Sequence, residues 1–411
     1  MTGQARTGHY DALETRSADE REAAIARALP GQVAAAAALP GYVDSLRGVD
    51  PTTITGLADL ASLPVLRKSD LVARQRPGAP LGGLSSLPPQ AFAHLFQSPG
   101  PIYEPGGAGH DWWRMGRFLH AAGIGRGDVV QNCFSYHLTP AGMIFENGAR
   151  AVGATVLPAG TGQTELQARA AHDLGVTAYA GTPDYLKVIL DRAEADGLPL
   201  QITRAAVGGG ALFPSLRAEY ADRGIACLQC YATADLGNIA YESAAMEGMI
   251  IDEGVLVEIV TPGTGTPVAP GEVGEVVVTT LNPDYPLVRF ATGDMSALMP
   301  GTSPCGRTNL RIKGWMGRAD QTTKIKGMFV RPEQVAAFVA RHGEVTRARV
   351  VALREGEADR MLVQVESPGG DVGTYGESVA QVMKLKAQIE ILAPGSLPND
   401  GLVIEDRRNY D

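Results

Sequence analysis

Two polar turns, each ending an apolar run with an acidic residue, are the first candidates for chemistry. Asp294 ends the run PLVRFATGD, and Asp320 ends the turn GRAD a short distance further along the chain. A carboxylate at a strand end can face a ligand, although it can also simply cap a turn. We interpret Asp294 as part of the floor of a nucleotide site. Asp320 is interpreted as a hinge, with a solvated turn as the alternative.

Glycine-rich loops form a second group of candidates. Gly208, Gly209 and Gly210 follow the apolar run AAV, and Gly160 and Gly162 lie in AGTGQT. Glycine lets the backbone approach a ligand closely and adopts conformations that other residues avoid. The run of three glycines therefore allows close approach to a ligand, and the alternative is a flexible strand-to-helix turn.

The elements that must position these residues alternate between strands and helices. Short apolar runs at 128–134 and 154–158 are separated by helical segments, which predicts a mostly parallel sheet that binds ligands beyond its carboxyl edge. From about residue 246, short Val-rich runs predict a small antiparallel sheet or barrel. The predicted fold is a large α/β domain over 1–319 with a β-barrel-like subdomain, followed by a small α+β lobe over 320–411.

Composition excludes several classes of function. The chain has 411 residues and a net charge of -9, and it lacks a basic stripe, which argues against nucleic acid as a partner. The sequence has no apolar run long enough for a membrane span and begins without a secretory signal, so a cytoplasmic location is expected. Cys227 and Cys230 form one CxxC pair, which is a weak zinc signal. Two half-buried thiols beside a strand are the simpler interpretation.

Five segments in order resemble the AMP-forming adenylating enzymes, and among them the phenylacetate-CoA ligase family. They are GVDP…LPVLRKSDL, YATADLGNIAYE, VRFATGDMSAL, CGRTNLRIKGWMGRADQTTKIKGMFVRPEQV and APGSLPNDG. The resemblance implies that a small-molecule carboxylic acid attacks ATP bound with Mg²⁺ to form an acyl-AMP. The thiol of coenzyme A then takes the acyl group. Members of this family are often homodimers, so a homodimer is an expected assembly.

The resemblance also implies a nucleotide site. Asp294 matches the ribose-binding aspartate, since a short carboxylate can accept hydrogen bonds from both vicinal hydroxyls. Arg318 matches an arginine that also contacts the ribose, and the loop 208–210 matches the segment along adenine. Tyr231 and Ala232 fall in the segment whose aromatic residue stacks on adenine. Asp235 matches the metal ligand, with Asp in place of the usual Glu, and remains a hard oxygen ligand suited to Mg²⁺.

The same resemblance also implies an acyl site and a hinge region. Tyr136 and His137 fall where the family places an aromatic wall of the acyl site, with Gly160 and Gly162 on another side. The alternative is that Tyr136 and His137 sit in an ordinary loop. An aryl or other apolar acid is therefore expected. The expected catalytic residues at and beyond the hinge are Asp320, Lys324 and Lys326.

Two segments differ from the family's sequence pattern and leave open whether the chain adenylates an acid. The phosphate loop, normally rich in hydroxyls with a lysine, is replaced by QSPGPIYEPGG, whose prolines lack N–H donors and which places Glu104 near the phosphates. Leu402 stands where the catalytic lysine is expected, and Arg407 or Arg408 are candidate substitutes. The first hypothesis is an active ligase. The alternatives are a non-adenylating member that binds nucleotide or acyl thioester, or a transferase that uses preformed acyl-CoA or acyl-AMP.

Overall fold

The computed structural model of the protein describes residues 8–210, 212–316, 319, 323–330, 332–355, 358–398 and 403–408. In these ranges the helices are α1 (Ala18–Ala37), α2 (Leu57–Leu60), α3 (Leu71–Arg74), α4 (Gly116–Ala121), α5 (Ala141–Ala151), α6 (Thr164–Asp173), α7 (Pro183–Ala195), α8 (Pro214–Asp222), α9 (Pro332–Arg341) and α10 (Val372–Met383). The strands are β1 (Leu66–Arg67), β2 (His94–Ser98), β3 (Ile102–Gly106), β4 (Val129–Asn132), β5 (Thr155–Leu157), β6 (Ala178–Gly181), β7 (Arg204–Val207), β8 (Ala226–Thr233), β9 (Gly237–Tyr241), β10 (Met249–Ile251), β11 (Val255–Val260), β12 (Gly274–Thr280), β13 (Phe290–Ser296), β14 (Leu298–Met299), β15 (Arg311–Ile312), β16 (Thr323–Ile325), β17 (Met328–Val330), β18 (Arg347–Glu355), β19 (Ala358–Glu366), β20 (Gln388–Leu392) and β21 (Ile404–Asp406).

Contacts divide the chain into two compact units. The first comprises Met1–Thr292 and Ser296–Trp315, and the second comprises Gly293–Met295 and Met316–Asp411. Three residues in the middle of β13 therefore group with the second unit.

The predicted alternation of strands and helices forms the parallel part of a nine-stranded sheet in the first unit. Its strand order is β14-β15-β10-β9-β8-β7-β6-β4-β5, and the five strands from β8 to β5 in that order run parallel. Strands such as β6 are apolar and buried along their whole length, as expected for a sheet covered on both faces. Helices α5 to α8 connect successive strands, so the carboxyl ends of the five strands share one edge.

The Val-rich runs form a separate four-stranded sheet with the order β1-β13-β12-β11. Strands β11 and β12 pair in an antiparallel register over most of their lengths, as predicted for this segment. Arg289 is buried beside this sheet, and its Nε and Nη2 donate to the two carboxylate oxygens of Glu258 at 3.0 and 2.9 Å. This bidentate ion pair satisfies the guanidinium away from water.

The N-terminal helix α1 begins with a capping box. Ser17 Oγ accepts from the backbone N–H of Glu20 at 3.2 Å, and the Glu20 carboxylate accepts from the N–H of Ser17 at 2.8 Å. The helix then buries Leu29 and Val33 in the same core cluster as the strand residues of the four-stranded sheet. The start of the chain therefore contributes a helix to the core that the four-stranded sheet shares.

The second unit is built on its own four-stranded sheet with the order β20-β19-β18-β21. Its core contains Phe338 of α9 and Val379 of α10 together with the inward residues of β18 and β19. The predicted α/β class, with a small α+β lobe at the end of the chain, is therefore confirmed. None of the helices in the described ranges has the length and apolar character that crossing a bilayer requires.

Candidate active site

Four segments at the carboxyl edge of the parallel strands carry most of the residues singled out from the sequence. Tyr136 and His137 follow β4, the loop 160–162 follows β5, the loop 208–210 follows β7, and Asp235 follows β8. Because parallel strands end on the same edge, these segments are gathered there from positions that are far apart in sequence. This edge is where ligands bind in open α/β sheets.

The glycines after β7 lie tightly against their neighbours. A Cβ added at Gly208 would lie 3.1 Å from Cys230 Sγ and 3.6 Å from Phe145 Cζ. Gly209 has φ of +69°, and a Cβ there would lie 3.7 Å from Phe134 Cε1. Side chains are therefore disfavoured at both positions, and the loop presents bare backbone. Its assignment to adenine stays a prediction.

Tyr231 and Ala232 lie at the end of β8, where the register with β9 shifts between them. Such irregularities often redirect side chains beside functional sites. The Tyr231 hydroxyl donates to Thr292 Oγ1 at 3.0 Å, and Thr292 Oγ1 in turn donates to the Val276 carbonyl at 3.1 Å. Asp294 lies two residues beyond Thr292 on β13 and is buried. The predicted ribose ligand is thus held on a regular strand.

Asp235, the predicted metal ligand, is in contact with Lys68. Lys68 Nζ lies 2.5 Å from Asp235 Oδ2, and the Asp235 side chain is fully buried. The other carboxylate oxygen, Oδ1, has no hydrogen-bond partner among the described residues. The sequence analysis did not identify Lys68 as a site residue, because its position in LPVLRKSDL suggests only a helix boundary.

The segment QSPGPIYEPGG, which replaces the family's phosphate loop, lies in a β-hairpin. Strands β2 and β3 pair in an antiparallel register, with Phe96 opposite Glu104. The Ser98 hydroxyl donates to Glu104 Oε1, while Glu104 Oε2 has no hydrogen-bond partner within the described ranges. Burial, and next the charge of Asp235, raise the pKa of Glu104 to about 8, although Ser98 and Lys68 act in the opposite direction. The hydroxyl of Ser98, the serine of this segment, is therefore already engaged by Glu104.

Tyr136 is fixed by hydrogen bonds at its hydroxyl. The hydroxyl donates to Glu146 Oε2 at 3.0 Å and accepts from Asn132 Nδ2 at 2.8 Å. Burial, followed by the Glu146 carboxylate, raises the pKa of Tyr136, so it stays a neutral phenol. His137 is exposed, and its backbone N–H donates to Ser135 Oγ at 3.2 Å. The structure therefore gives the Tyr136 ring a defined orientation beside Gly160.

Gln167 on α6 is a supporting residue that the sequence analysis missed. Its Nε2 donates to the carbonyls of Ala159, Gly160 and Gly162 at 3.4, 2.9 and 2.7 Å. Its Oε1 accepts from Gln131 Nε2 at 3.0 Å and from the Cys133 thiol at 3.1 Å. One buried amide thus fixes the loop after β5. Glutamine in an amphipathic helix carries no sequence signal for this role.

Cys227 and Cys230 both lie in β8 but belong to different core clusters. Residues three apart on a strand point to opposite faces, so the two thiols do not converge on one metal ion. Burial raises the pKa of Cys227 to about 12 and also raises the pKa of Cys230. These thiols are core residues.

In the second unit, Lys324 lies in β16 and Lys326 in the turn that follows it. Lys324 Nζ lies 5.8 Å from the centroid of the Phe329 ring, and the N–H of Lys326 donates to Asp359 Oδ2 at 3.0 Å. Arg408 donates to the Lys324 carbonyl at 2.7 Å and to Asp359 Oδ2 at 2.9 Å. Arg407 pairs with Glu405 at 2.7 Å. The predicted residues Arg318 and Asp320, and Leu402, lie outside the described residues.

Comparisons with known proteins agree with this architecture. The chain is 30% identical over 336 residues to the phenylacetate-coenzyme A ligase of Thermus thermophilus, and the match covers 78% of this chain and 74% of that relative. It is 28% identical over 424 residues to the phenylacetate-coenzyme A ligase of Escherichia coli K12, with 96% and 94% of the two chains covered. No protein-family model matches the chain.

A solved structure shares the fold over nearly the whole chain. It is 2-hydroxyisobutyryl-CoA ligase in complex with 2-HIB-AMP and CoA in the thioesterification state, with a TM-score of 0.79 and 23% identity. The match covers 97% of this chain and 92% of that structure. The level of identity to the curated relatives, over most of both chains, shows common descent. This chain belongs to the phenylacetate-coenzyme A ligase family of AMP-forming adenylating enzymes.

Proposed function

We propose that this chain is an AMP-forming ligase that activates an aryl or other apolar carboxylic acid with ATP and transfers the acyl group to coenzyme A. The observation that carries the proposal is the convergence of the loop 208–210, Asp235 and Tyr136 at one sheet edge in a chain of this family. The reaction needs an acid and a nucleotide held side by side. We propose that the backbone of the loop 208–210 holds the nucleotide and that Tyr136 forms a wall for the acid.

The nucleotide is proposed to lie along Gly208, Gly209 and Gly210, with the Tyr231 segment beside it and Asp294 accepting from the ribose hydroxyls. The hydrogen bond between Tyr231 and Thr292 supports this arrangement because it fixes the aromatic ring at the end of β8. Arg318 is proposed as a second ribose contact. A site of this kind positions the α-phosphate for attack, and positioning alone accounts for a large share of such rate enhancements.

Asp235 is proposed to hold Mg²⁺. Its buried Oδ1, which has no hydrogen-bond partner among the described residues, is a hard oxygen ligand of the type that Mg²⁺ prefers. Mg²⁺ is usually held by one or two carboxylates together with substrate phosphates, so one aspartate is sufficient on the protein side. When bound, the ion would neutralise phosphate charge. The ammonium of Lys68 brings a further positive charge to the same place.

The acyl group is proposed to lie against Tyr136 and His137, with Gly160 and Gly162 on the other side. The hydrogen bonds from Gln167 to this loop support the assignment, since a substrate wall must be held in a fixed place. In the second unit, Asp320 is proposed as the hinge, and Lys324 and Lys326 beyond it as catalytic lysines. A hinge lets different side chains serve successive half-reactions.

One observation favours a second candidate function. Ser98 donates to Glu104, so the serine hydroxyl of the segment that replaces the phosphate loop is engaged, and an acidic residue is buried beside it. Loss of one preorganised donor typically costs about 10²–10³ in rate, and Leu402 replaces a further cationic group. The second candidate is therefore a member that binds nucleotide or acyl thioester without adenylating an acid.

Acid-dependent exchange of pyrophosphate into ATP separates the two candidates, because it reports adenylation alone. We expect exchange that depends on added acid and falls about 10²-fold or more in Asp235→Ala. Asp222→Ala, at an exposed aspartate on α8, is the control and should exchange normally. Calorimetric binding of AMP without exchange for any acid in a broad panel would support the second candidate instead. A gain of exchange in Leu402→Lys would show that the missing charge limits the reaction.

A further inference from the structure

We infer that Glu104 is a second cation ligand beside Asp235, and that these two carboxylates and the Tyr285 hydroxyl bind a hard divalent cation in the absence of nucleotide. The proposed function assigns Mg²⁺ to Asp235, and the site rests on that assignment. Glu104 adds a ligand from the segment QSPGPIYEPGG, which replaces the family's phosphate loop. The site is therefore a property of this chain and not of its bound substrates.

Each of the three side chains has one oxygen atom that no hydrogen bond satisfies in the described part of the chain. The atoms are Glu104 Oε2, Asp235 Oδ1 and the Tyr285 hydroxyl oxygen. The three residues are 0%, 5% and 2% exposed, so bulk solvent does not satisfy these atoms. Native proteins rarely bury polar atoms in this way, and a bound ion or water usually accounts for those that they do bury.

The backbone directs the three side chains into one region. Ile102 and Glu104 are two residues apart on β3 and point to the same face of the hairpin, whereas the residue between them is exposed. Ile102 belongs to the same buried core cluster as Tyr285 and Leu236. Leu236 follows Asp235 directly in the chain. Glu104 therefore faces the part of the large unit that contains the other two residues.

The influence of the charges on one another shows the same proximity. Burial, and next the charge of Asp235, raises the pKa of Glu104. Burial also raises the pKa of Tyr285, and the charges of Asp235 and Glu104 are the next two causes. Nearby charges shift a pKa in this way only over short distances, so the three groups form one cluster.

The charge of this cluster favours a cation. The Lys68 ammonium engages Asp235 Oδ2 and the Ser98 hydroxyl engages Glu104 Oε1, so Oδ1 and Oε2 remain for a further partner. When both carboxylates are ionised, one ammonium leaves a net negative charge that burial penalises. A proton on Glu104 balances this charge in the metal-free chain, and binding of a divalent cation releases the proton. Carboxylate and hydroxyl oxygens are hard ligands, which suit Mg²⁺ and Mn²⁺.

Titration of the nucleotide-free protein with MnCl₂, followed by isothermal calorimetry, tests this site without requiring turnover. We expect the unmodified protein to bind Mn²⁺. Glu104→Gln keeps the shape of the side chain and should weaken this binding about ten-fold or more, because the affinity of such sites follows the number of charged ligands. Tyr285→Phe removes only the hydroxyl and should weaken the binding by a smaller factor. Thermal unfolding without metal would verify that each variant is folded.

Glu275→Gln is the matched control, because Glu275 is also a buried glutamate of the large unit but is paired with Arg67 at 3.3 Å. It should bind Mn²⁺ like the unmodified protein. Absence of Mn²⁺ binding to the nucleotide-free protein, or unchanged binding in a folded Glu104→Gln, would overturn the inference. Mn²⁺ binding that requires ATP and is lost in Asp235→Asn alone would also overturn it, while leaving the proposed role of Asp235 intact. Unchanged binding of ATP with Mn²⁺ in Asp235→Asn would overturn both.

Discussion

Lys68 and Asp235 form an ion pair across 167 positions of the chain, with Nζ 2.5 Å from Oδ2. The aspartate is fully buried and the lysine is about a quarter exposed. The pair joins the N-terminal helical region to the end of β8. It therefore links the stability of the large unit to the position of a candidate metal ligand.

Removing the lysine should leave Asp235 as an unpaired buried charge. We expect Lys68→Ala to lower the free energy of unfolding by about 2–3 kcal/mol, somewhat below the cost for a fully buried pair. Urea denaturation would measure the change. Arg47→Ala, which breaks an exposed pair with Asp44, is the control and should have little effect on the unfolding free energy. An equal loss in both variants would contradict a special role for the buried pair.

The buried Glu104 should make stability depend on pH. Its pKa rises from an ordinary 4.5 to about 8, so the folded chain keeps a proton that the unfolded chain loses. Below pH 4.5 Glu104 is protonated in both the folded and the unfolded chain, and the free energy of unfolding is at its full value. As the pH rises towards 8, the free energy of unfolding falls by up to about 1.4 kcal/mol per pH unit. Glu104→Gln should therefore gain stability relative to the unmodified protein between about pH 5 and 8. Denaturant titrations at several pH values would measure it, and Glu22→Gln, at an exposed glutamate, should show no such trend.

Gln167 should hold the loop after β5 in a fixed conformation. Gln167→Leu removes donors to three carbonyls and is expected to raise the KM for the acid about ten-fold or more, with a smaller effect on the KM for ATP. Hydrogen exchange of residues 159–163 should become faster. Leu166→Ala, at the exposed neighbouring position on α6, should change neither quantity. Unchanged exchange in Gln167→Leu would show that the loop is held by other contacts.

Cys305 should be the most reactive of the four cysteines. Burial raises the pKa of its thiol, but hydrogen bonds from Ser243, Ser303 and Arg307 more than offset this effect, so the pKa is lowered overall. The other three thiols are buried, and their pKa values are raised by burial. A thiol-specific chromogenic reagent should therefore modify one group rapidly in the native protein, and Cys305→Ser should abolish that phase. Rapid modification of a CxxC thiol would contradict the core assignment of the pair.

The sequence alone indicated the fold class, because apolar periodicity and glycine positions are local signals, and five motifs in order indicated the family by resemblance. It indicated the strands that became β4 and β5 and the glycine loop after β7. It also identified Asp235 and Tyr136 as candidates. These features depend on residues close together in the chain, where backbone preferences act directly.

The tertiary structure decided which groups those residues contact. Lys68 meets Asp235, Ser98 meets Glu104, and Gln167 holds the loop at Gly160, although none of these partners has a distinctive sequence pattern. Phe145 appears in sequence as an ordinary apolar helix residue, and only packing places it against Gly208. Contacts between distant segments follow from how strands and helices pack together, so they are not encoded in the spacing of a single stretch.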